Sequence, residues 1–468
     1  MDQKETIKLK KFIEIEKKYN LWDYVIDEVH PWAIIRGNVL NISLRPNINS
    51  CPAHMENKSI NYFSPNSILN FFKTLNFFIS KRKNFDSLFF TTARYQNINK
   101  ETSFFYDQFF KPYFSLFNNP LIFEHSYQGT VKRPRELESN TYLFDYIPIL
   151  STIKSLKNNY NYWGNDKDIV DFLSIVCDSF SLQKEMPNLY RKIIRRFHAR
   201  QHLIKYIDNI SLHMVGNKAF IHCASYLNDN GLITQRLRDN GIITIEIQHG
   251  FIGPNHYAYN YPTGHAKSIA KKYLPDYFLT YGKYWNEQIQ TPSTAVTVGN
   301  PSLNAARDYY QSHISVQPKN ILVVSQGYIT HMMVKIAKYL SEIFPHYTVI
   351  FKLHPGELPF TERYEELKKY PNIQIKSYEN IYELIASSEI IVGYTSTTLF
   401  EALSFKDKRI FIIGNNSIPE SLGYHFSSFE ELRDAILDES YGYPAVNPSY
   451  FWEIDWERKI SAFLNQIQ

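Results

Sequence analysis

From Asn320 onward the chain alternates short β-branched runs with helix-length amphipathic segments, and this alternation constrains the fold more than any other feature. Residues 321–324, 348–352, 373–375, 390–392 and 409–412 read as strands; 332–343, 361–369, 381–387 and 397–404 read as helices between them. Runs that are apolar over nearly their whole length suit a sheet buried on both faces. Parallel strands need long crossovers, and interleaved helices supply them. An earlier series repeats the pattern: strands at 218–222, 242–247, 276–280 and 295–298, a helix at 225–239, and apolar runs at 87–92 and 120–123. Residues 166–210 are mostly helical in period, and the polar stretch 309–319, with Pro318, reads as a connection. The expectation is an α/β chain of two doubly wound domains. The first covers residues 1–314, with an irregular first 80 residues (a charged helix to about Asn20, then strands near 33–44). The second covers 315–445, and a helical tail 446–468 follows.

Composition narrows the function classes. A length of 468 residues fits two or three domains at roughly 150 residues each. Cys51, Cys177 and Cys223 lie far apart, which excludes zinc-knuckle spacing and a disulfide scaffold and leaves three buried or idle thiols in a reducing compartment. A net charge of +5 is slight for this length, so no nucleic acid partner is expected. The N-terminus is Lys-rich without the apolar core of a signal peptide, and the best apolar stretch, 67–80, contains Lys73 and falls short of the ~20 residues of a membrane span. The chain is expected to be soluble and cytoplasmic. One helical segment is locally basic (Arg191, Lys192, Arg195, Arg196, His198, Arg200, His202, Lys205), a solvated face, a contact with an anionic substrate, or a peripheral contact with an anionic membrane at the inner face of the cytoplasmic membrane.

In open α/β sheets, ligands bind beyond the carboxyl ends of the strands. Four segments follow strands directly: Gln248-His249-Gly250, Gly299-Asn300-Pro301, Lys352-Leu353-His354-Pro355-Gly356-Glu357, and Gly393-Tyr394-Thr395-Ser396-Thr397 with Glu401. Pro355 stiffens the backbone behind His354. Thr395, Ser396 and Thr397 precede a helix, where hydroxyls and unpaired N–H groups suit phosphate or serve as caps. Asp166-Lys167-Asp168 opens a helical run rather than following a strand, so capping is the better reading than a divalent-metal site. Neither a Gly-x-Gly-x-x-Gly, a Walker loop nor a His-Glu-x-x-His occurs, which sets aside dehydrogenase, ATPase and zinc-protease chemistry; no metal or cofactor is expected.

With these motifs in order, residues 242–413 resemble the GT-B glycosyltransferases of bacterial surface polysaccharide synthesis (capsule or lipopolysaccharide). They are similar to the sialyl and Kdo transferases, with their His-Pro motif and later Ser/Thr pair, and to the CDP-glycerol glycerophosphotransferases, with His-Gly and His-Pro. The resemblance implies two Rossmann-type domains facing across a cleft. It also implies a nucleotide-sugar donor, a glycan or glycolipid acceptor, and transfer without a metal. His249 would be the base. His354 and Pro355, Ser396 and Thr397 would meet the donor phosphates, and Glu401 the ribose. Gly299, Lys352, Glu357 and Thr395 complete the implied donor site. The acidic pair before Gly of the sialyltransferases is absent, and Gln248-His249-Gly250 stands there instead. Gly393 occupies the place of the second Glu of retaining enzymes, which favours inversion. Alternatives are alditol-phosphate transfer from a CDP-alditol, a nucleotide-sugar epimerase, and a catalytically silent nucleotide-sugar-binding subunit.

Overall fold

The computed structural model describes residues 2–44, 65–92, 95–97, 105–107, 109–126, 134–135, 139–157, 166–227, 229–414, 416 and 418–467; Cys51 lies outside these. In chain order the first strands are β1 (Ser87–Thr92), β2 (Tyr95–Asn97), β3 (Phe105–Asp107), β4 (Pro120–His125), β5 (Thr141–Leu143), β6 (Lys218–Ile221), β7 (Ile243–Ile247), β8 (Tyr277–Thr280) and β9 (Thr294–Thr297). β2 and β3 form a short antiparallel ladder. The other seven make one parallel sheet in the order β5-β4-β1-β6-β7-β8-β9. A second series follows: β10 (Gln317–Val324), β11 (Thr348–Lys352), β12 (Ile373–Lys376), β13 (Ser388–Gly393), β14 (Arg409–Ile413) and β15 (Tyr424–Phe426). Its parallel sheet runs β12-β11-β10-β13-β14-β15, the doubly wound order that reverses beside its first strand. These are two Rossmann-type α/β domains facing across a cleft, the GT-B-like arrangement expected from the sequence.

Period-two alternation drives both sheets. Ile321 and Val323 of β10 pack with Val349, Phe351, Ile390 and Val392 under the helix Thr330–Ile343. Leu322 and Val324 face the other way, into a core that also holds Ile391, Ile410 and Ile412 and, from the first half of the chain, Phe278 and Trp285. In the first sheet, Leu88, Phe90, Ala219 and Ile221 face Leu203, Ile207 and Ile210 of the helix Met186–Leu212. Phe89, Phe220 and Ile245 face Ile460, Phe463 and Ile467 at the end of the chain.

Several expectations are corrected. Residues 33–44 are not strands; they belong to a helix, Pro31–Leu44, in which Trp32, Ile35, Arg36 and Val39 are buried at three- to four-residue spacing. The β-branched residues there mislead, whereas Pro31 at the first helical position marks the start. The stretch 309–319 is not a simple connection. The helix Pro301–His313 runs through its first half, and β10 begins at Gln317, with Pro318 in a register shift between Gln317 and Ile321 where no ladder N–H is needed. The helix expected from 225 starts at Asp229, after left-handed Cys223 and Leu227. Residues 361–369 lie in a kinked 3₁₀ segment, Pro355–Lys369. β15 and the helix Phe429–Leu437 went unrecognised.

The opening residues are ordered by one buried ion pair. Glu16 Oε1 accepts from Trp22 Nε1 at 3.1 Å, Trp32 Nε1 at 2.7 Å and Arg36 Nε at 2.7 Å. Arg36 also donates to Tyr257 O at 2.8 Å and Asn260 O at 2.9 Å, joining the N-terminal helices to the loop that leaves β7. Among the basic residues of 191–205, Lys192 bonds Asn38, Arg196 pairs with Asp229, and Arg200 reaches Asp27 O. No helix among the described residues is long and apolar enough to cross a membrane.

Candidate functional site

The strands of both sheets end at one cleft of about 1610 Å³. The loop after β7 brings Gln248, His249 and Gly250 to one wall. The loops after β11 and β13 bring Lys352, His354, Pro355, Ser396, Thr397 and Glu401 to the other. Segment 109–120 and residues 454–457 close the sides.

The β7 loop is clamped by Gln248. Its Oε1 accepts from the Tyr281 N–H at 2.9 Å and its Nε2 donates to Gly250 O at 2.9 Å, so His249 projects from a braced turn. Cys223 Sγ lies 3.7 Å from His249 Nε2, the Tyr226 hydroxyl lies 3.4 Å from the same nitrogen, and the His222 ring sits 5.2 Å away edge-on. Tyr226 also bonds His256 Nε2 at 3.0 Å. Cys223 reaches His249 because its backbone is left-handed (φ 54°), turning the chain sharply off β6. It is therefore not an idle thiol remote from the site.

His354 caps its own turn. Its Nδ1 accepts from the Gly356 N–H at 3.0 Å, and its backbone N–H donates to Glu357 Oε2 at 2.8 Å. An Nδ1 acting as acceptor leaves the ring proton on Nε2, and the residue as a whole is exposed. Glu357 is buried and lies outside the cleft lining. Its carboxylate accepts from Ser325 Oγ at 2.9 Å, Thr330 Oγ1 at 3.2 Å and the Tyr364 hydroxyl at 2.5 Å, so it holds the His354 turn rather than facing a ligand. Lys352 lines the cleft, yet its ammonium donates to Leu353 O at 2.9 Å and Ser377 O at 2.8 Å, and burial lowers its pKa.

After β13, the Thr395 N–H donates to Gln326 Oε1 at 3.0 Å; Thr395 stands behind the lining. Ser396 caps the short helix Thr397–Ala402, its Oγ accepting from the Thr398 N–H at 3.2 Å. Glu401 accepts from the Tyr382 hydroxyl at 3.2 Å. Burial pushes its carboxyl up to about 7, with the Tyr382 bond pulling the other way. Gly299 also lies outside the lining. Its φ is +100°, and a Cβ there would stand 2.4 Å from Glu453 O, so it lets the C-terminal segment pass close by.

Seven of the ten expected residues thus share the cleft: His249, Lys352, His354, Pro355, Ser396, Thr397 and Glu401. Sequence reasoning missed Tyr226, Gln326 and Tyr382, whose relevance depends on contacts between distant segments. Among the described residues, no group of three His, Cys, Asp or Glu side chains is arranged to hold a metal ion, and Asp168 is not part of the cleft lining.

No protein-family model matches the sequence, and no curated protein matches it. Among solved structures, the chain is similar to UDP-GlcNAc 2-epimerase from Methanocaldococcus jannaschii, at 11% identity over 81% of this chain and 99% of that one, with a TM-score of 0.46. It is similar to UDP-GlcNAc 2-epimerase from Neisseria meningitidis bound to UDP-GlcNAc, at 11% identity over 82% and 100%, with a TM-score of 0.44. A third is the pneumococcal O-GlcNAc transferase GtfA in complex with UDP and GlcNAc, at 12% identity over 57% and 59%, with a TM-score of 0.36. The assignment of two Rossmann-type domains rests on the strand order and register described above.

Proposed function

We propose that the chain is a GT-B glycosyltransferase that works without a metal and with inversion, moving a sugar from a nucleotide-activated donor to a growing capsule or lipopolysaccharide glycan. One observation carries the reading: His249 on one wall of the cleft stands opposite His354, Ser396, Thr397 and Glu401 on the other. The cleft exceeds the ~300–1,000 Å³ of an ordinary single-ligand pocket, leaving room for a donor and an acceptor together.

The donor lies against the second domain. Glu401 accepts from the ribose hydroxyls, and the Ser396 and Thr397 hydroxyls and His354 Nε2–H meet the phosphates. The acceptor hydroxyl lies at His249, which takes its proton as the oxygen attacks the anomeric carbon. The bond from that carbon to the phosphate oxygen breaks, its electron pair stays on the nucleotide phosphate, and His354 stabilises the charge that develops. A single displacement inverts the anomeric centre.

His249 is preferred to the first domain's carboxylates. Glu246 is fully buried, outside the lining, and engaged by the Ser225 N–H and hydroxyl and the Tyr259 hydroxyl. Asp308 lines the cleft but is paired with Arg307 and points largely to water.

The test is a thermal-shift panel of CMP, CDP, UDP, GDP and dTDP with and without EDTA, followed by donor turnover with and without acceptor. A nucleotide at 100 times its Kd adds about 2.7 kcal/mol of stability. Stabilisation by one nucleotide that survives EDTA, with turnover requiring an acceptor, is the expected result. CDP preference with release of CMP would replace the reading by alditol-phosphate transfer. Isomerised donor formed without acceptor would replace it by epimerisation, nucleotide stabilisation without any turnover by a silent binding role, and no nucleotide effect would overturn the donor site itself.

A further inference from the structure

The helix Pro65–Ile79 is amphipathic the wrong way round. Its buried positions hold Ser67, Asn70 and Thr74 beside Phe77, while Leu69 is 66%, Phe72 60% and Ile79 75% exposed. The polar side is used on the edge of the first sheet. Thr74 Oγ1 exchanges hydrogen bonds with the Leu143 backbone of β5 at 3.3 and 3.4 Å, and Ser67 O accepts from the Tyr146 hydroxyl at 2.5 Å. An edge strand needs its outer backbone groups covered, and Thr74 of this helix covers those of Leu143. Its apolar side is left facing outward.

Among the described residues, cations flank that side. Neither this helix nor its neighbour Tyr146–Lys157, which exposes Ile153, contains an Asp or Glu. Lys81, Arg82 and Lys83 follow the helix directly and are exposed. Lys73 lies 5.6 Å from the Tyr142 ring, and Lys154 4.8 Å from the Tyr206 ring. The field is felt by two histidines beneath: burial lowers the pKa of His213, helped by Lys83 and Arg82, and that of His202, helped by Lys205 and Lys154.

We propose that the exposed face of the helix Pro65–Ile79 docks on an anionic lipid bilayer, with Leu69, Phe72 and Ile79 entering the interface and Lys81, Arg82 and Lys83 meeting the headgroups. Charge selects this occupant. A second copy of the chain on the same face would set these cations against one another with no acid from either helix between them. The inference is independent of the transferase reading.

Flotation of the full chain with vesicles of phosphatidylcholine alone, or mixed with phosphatidylglycerol, tests it. The expected result is several-fold more bound protein on the anionic vesicles. Binding falls at least tenfold in Leu69→Asp/Phe72→Asp and several-fold in Lys81→Glu/Arg82→Glu, with melting temperature and nucleotide response unchanged in both. No flotation of the wild type, equal flotation on both vesicles, or undiminished flotation of Leu69→Asp/Phe72→Asp would overturn it. So would a wild-type dimer that ignores vesicles and that Leu69→Asp/Phe72→Asp dissociates, which would assign the face to a second copy.

Discussion

At the scale of single residues, His354 combines two tasks that substitution can separate. Its Nδ1 caps the following turn, and its ring lines the cleft. His354→Ala loses both, with about 1 kcal/mol of stability gone with the cap. His354→Asn can keep a capping oxygen and cannot donate as an imidazole does. Both variants are expected to lose about a hundredfold or more in kcat, with only the Ala variant also melting lower; full turnover in His354→Asn would remove His354 from the chemistry. Glu401 provides the pH dependence. Its folded pKa of about 7 lies above the ordinary carboxyl value of 4.5, so the folded state holds the proton more tightly. The stability this gives is complete below about pH 4.5 and is lost as pH rises through 7. Glu401→Gln is therefore expected to melt higher than wild type at pH 8, by about 1–2 kcal/mol after allowing for partial exposure, and to match it at pH 5. Ionised Glu401 is also the better acceptor for ribose hydroxyls, so nucleotide affinity should rise about tenfold from pH 6 to pH 8. Tyr382→Phe removes a bond that favours the carboxylate and should move the midpoint upward. Titration calorimetry across that range checks both, and a flat profile would refute the role.

At the scale of elements, the strands were legible and their neighbours less so. β11, β13 and β14 carry unbroken apolar runs and β7 is β-branched over nearly its whole length, because both faces are covered, and such runs need no partner to be recognised. The helix Pro31–Leu44 was not legible, because Ile34, Ile35 and Val39 carry strand-like chemistry while its burial is set by contacts with residues far along the chain. Its anchor gives a prediction. Arg36→Met leaves the Glu16 carboxylate buried without its cation, and it frees Tyr257 O and Asn260 O in the loop that follows His249. Losing one partner of a buried pair costs about 3–5 kcal/mol. Urea unfolding should register that loss, and the Glu16→Gln/Arg36→Met double variant should recover part of it. A loss under 1 kcal/mol for Arg36→Met would mean the pair is not the anchor described.

For the whole molecule, the C-terminal segment joins what the two sheets divide. Trp452 donates to Phe400 O of the second domain at 2.6 Å, and Trp285 of the first donates to Phe451 O at 2.8 Å. Beyond them, Ile460, Phe463 and Ile467 cover Phe89 and Phe220 on the first sheet. At about 1.5 kcal/mol or more for each buried side chain, losing these five removes a large part of a typical 5–15 kcal/mol total. A chain ending at residue 447 is expected to bind hydrophobic dyes and lose its cooperative melt. A truncated chain that melts as the intact one does would show the segment to be dispensable.

The sequence by itself determined the two runs of parallel strands and placed His249, His354, Ser396, Thr397 and Glu401 just beyond strand ends, because strand chemistry and the strand-to-helix turn are local properties. Tertiary structure alone decided that Glu357, Thr395 and Gly299 support the site from behind, that Cys223 and Tyr226 crowd His249, and that a helix covers a sheet edge with its polar side. Each depends on which distant backbone groups require a partner, and local pattern carries no record of that.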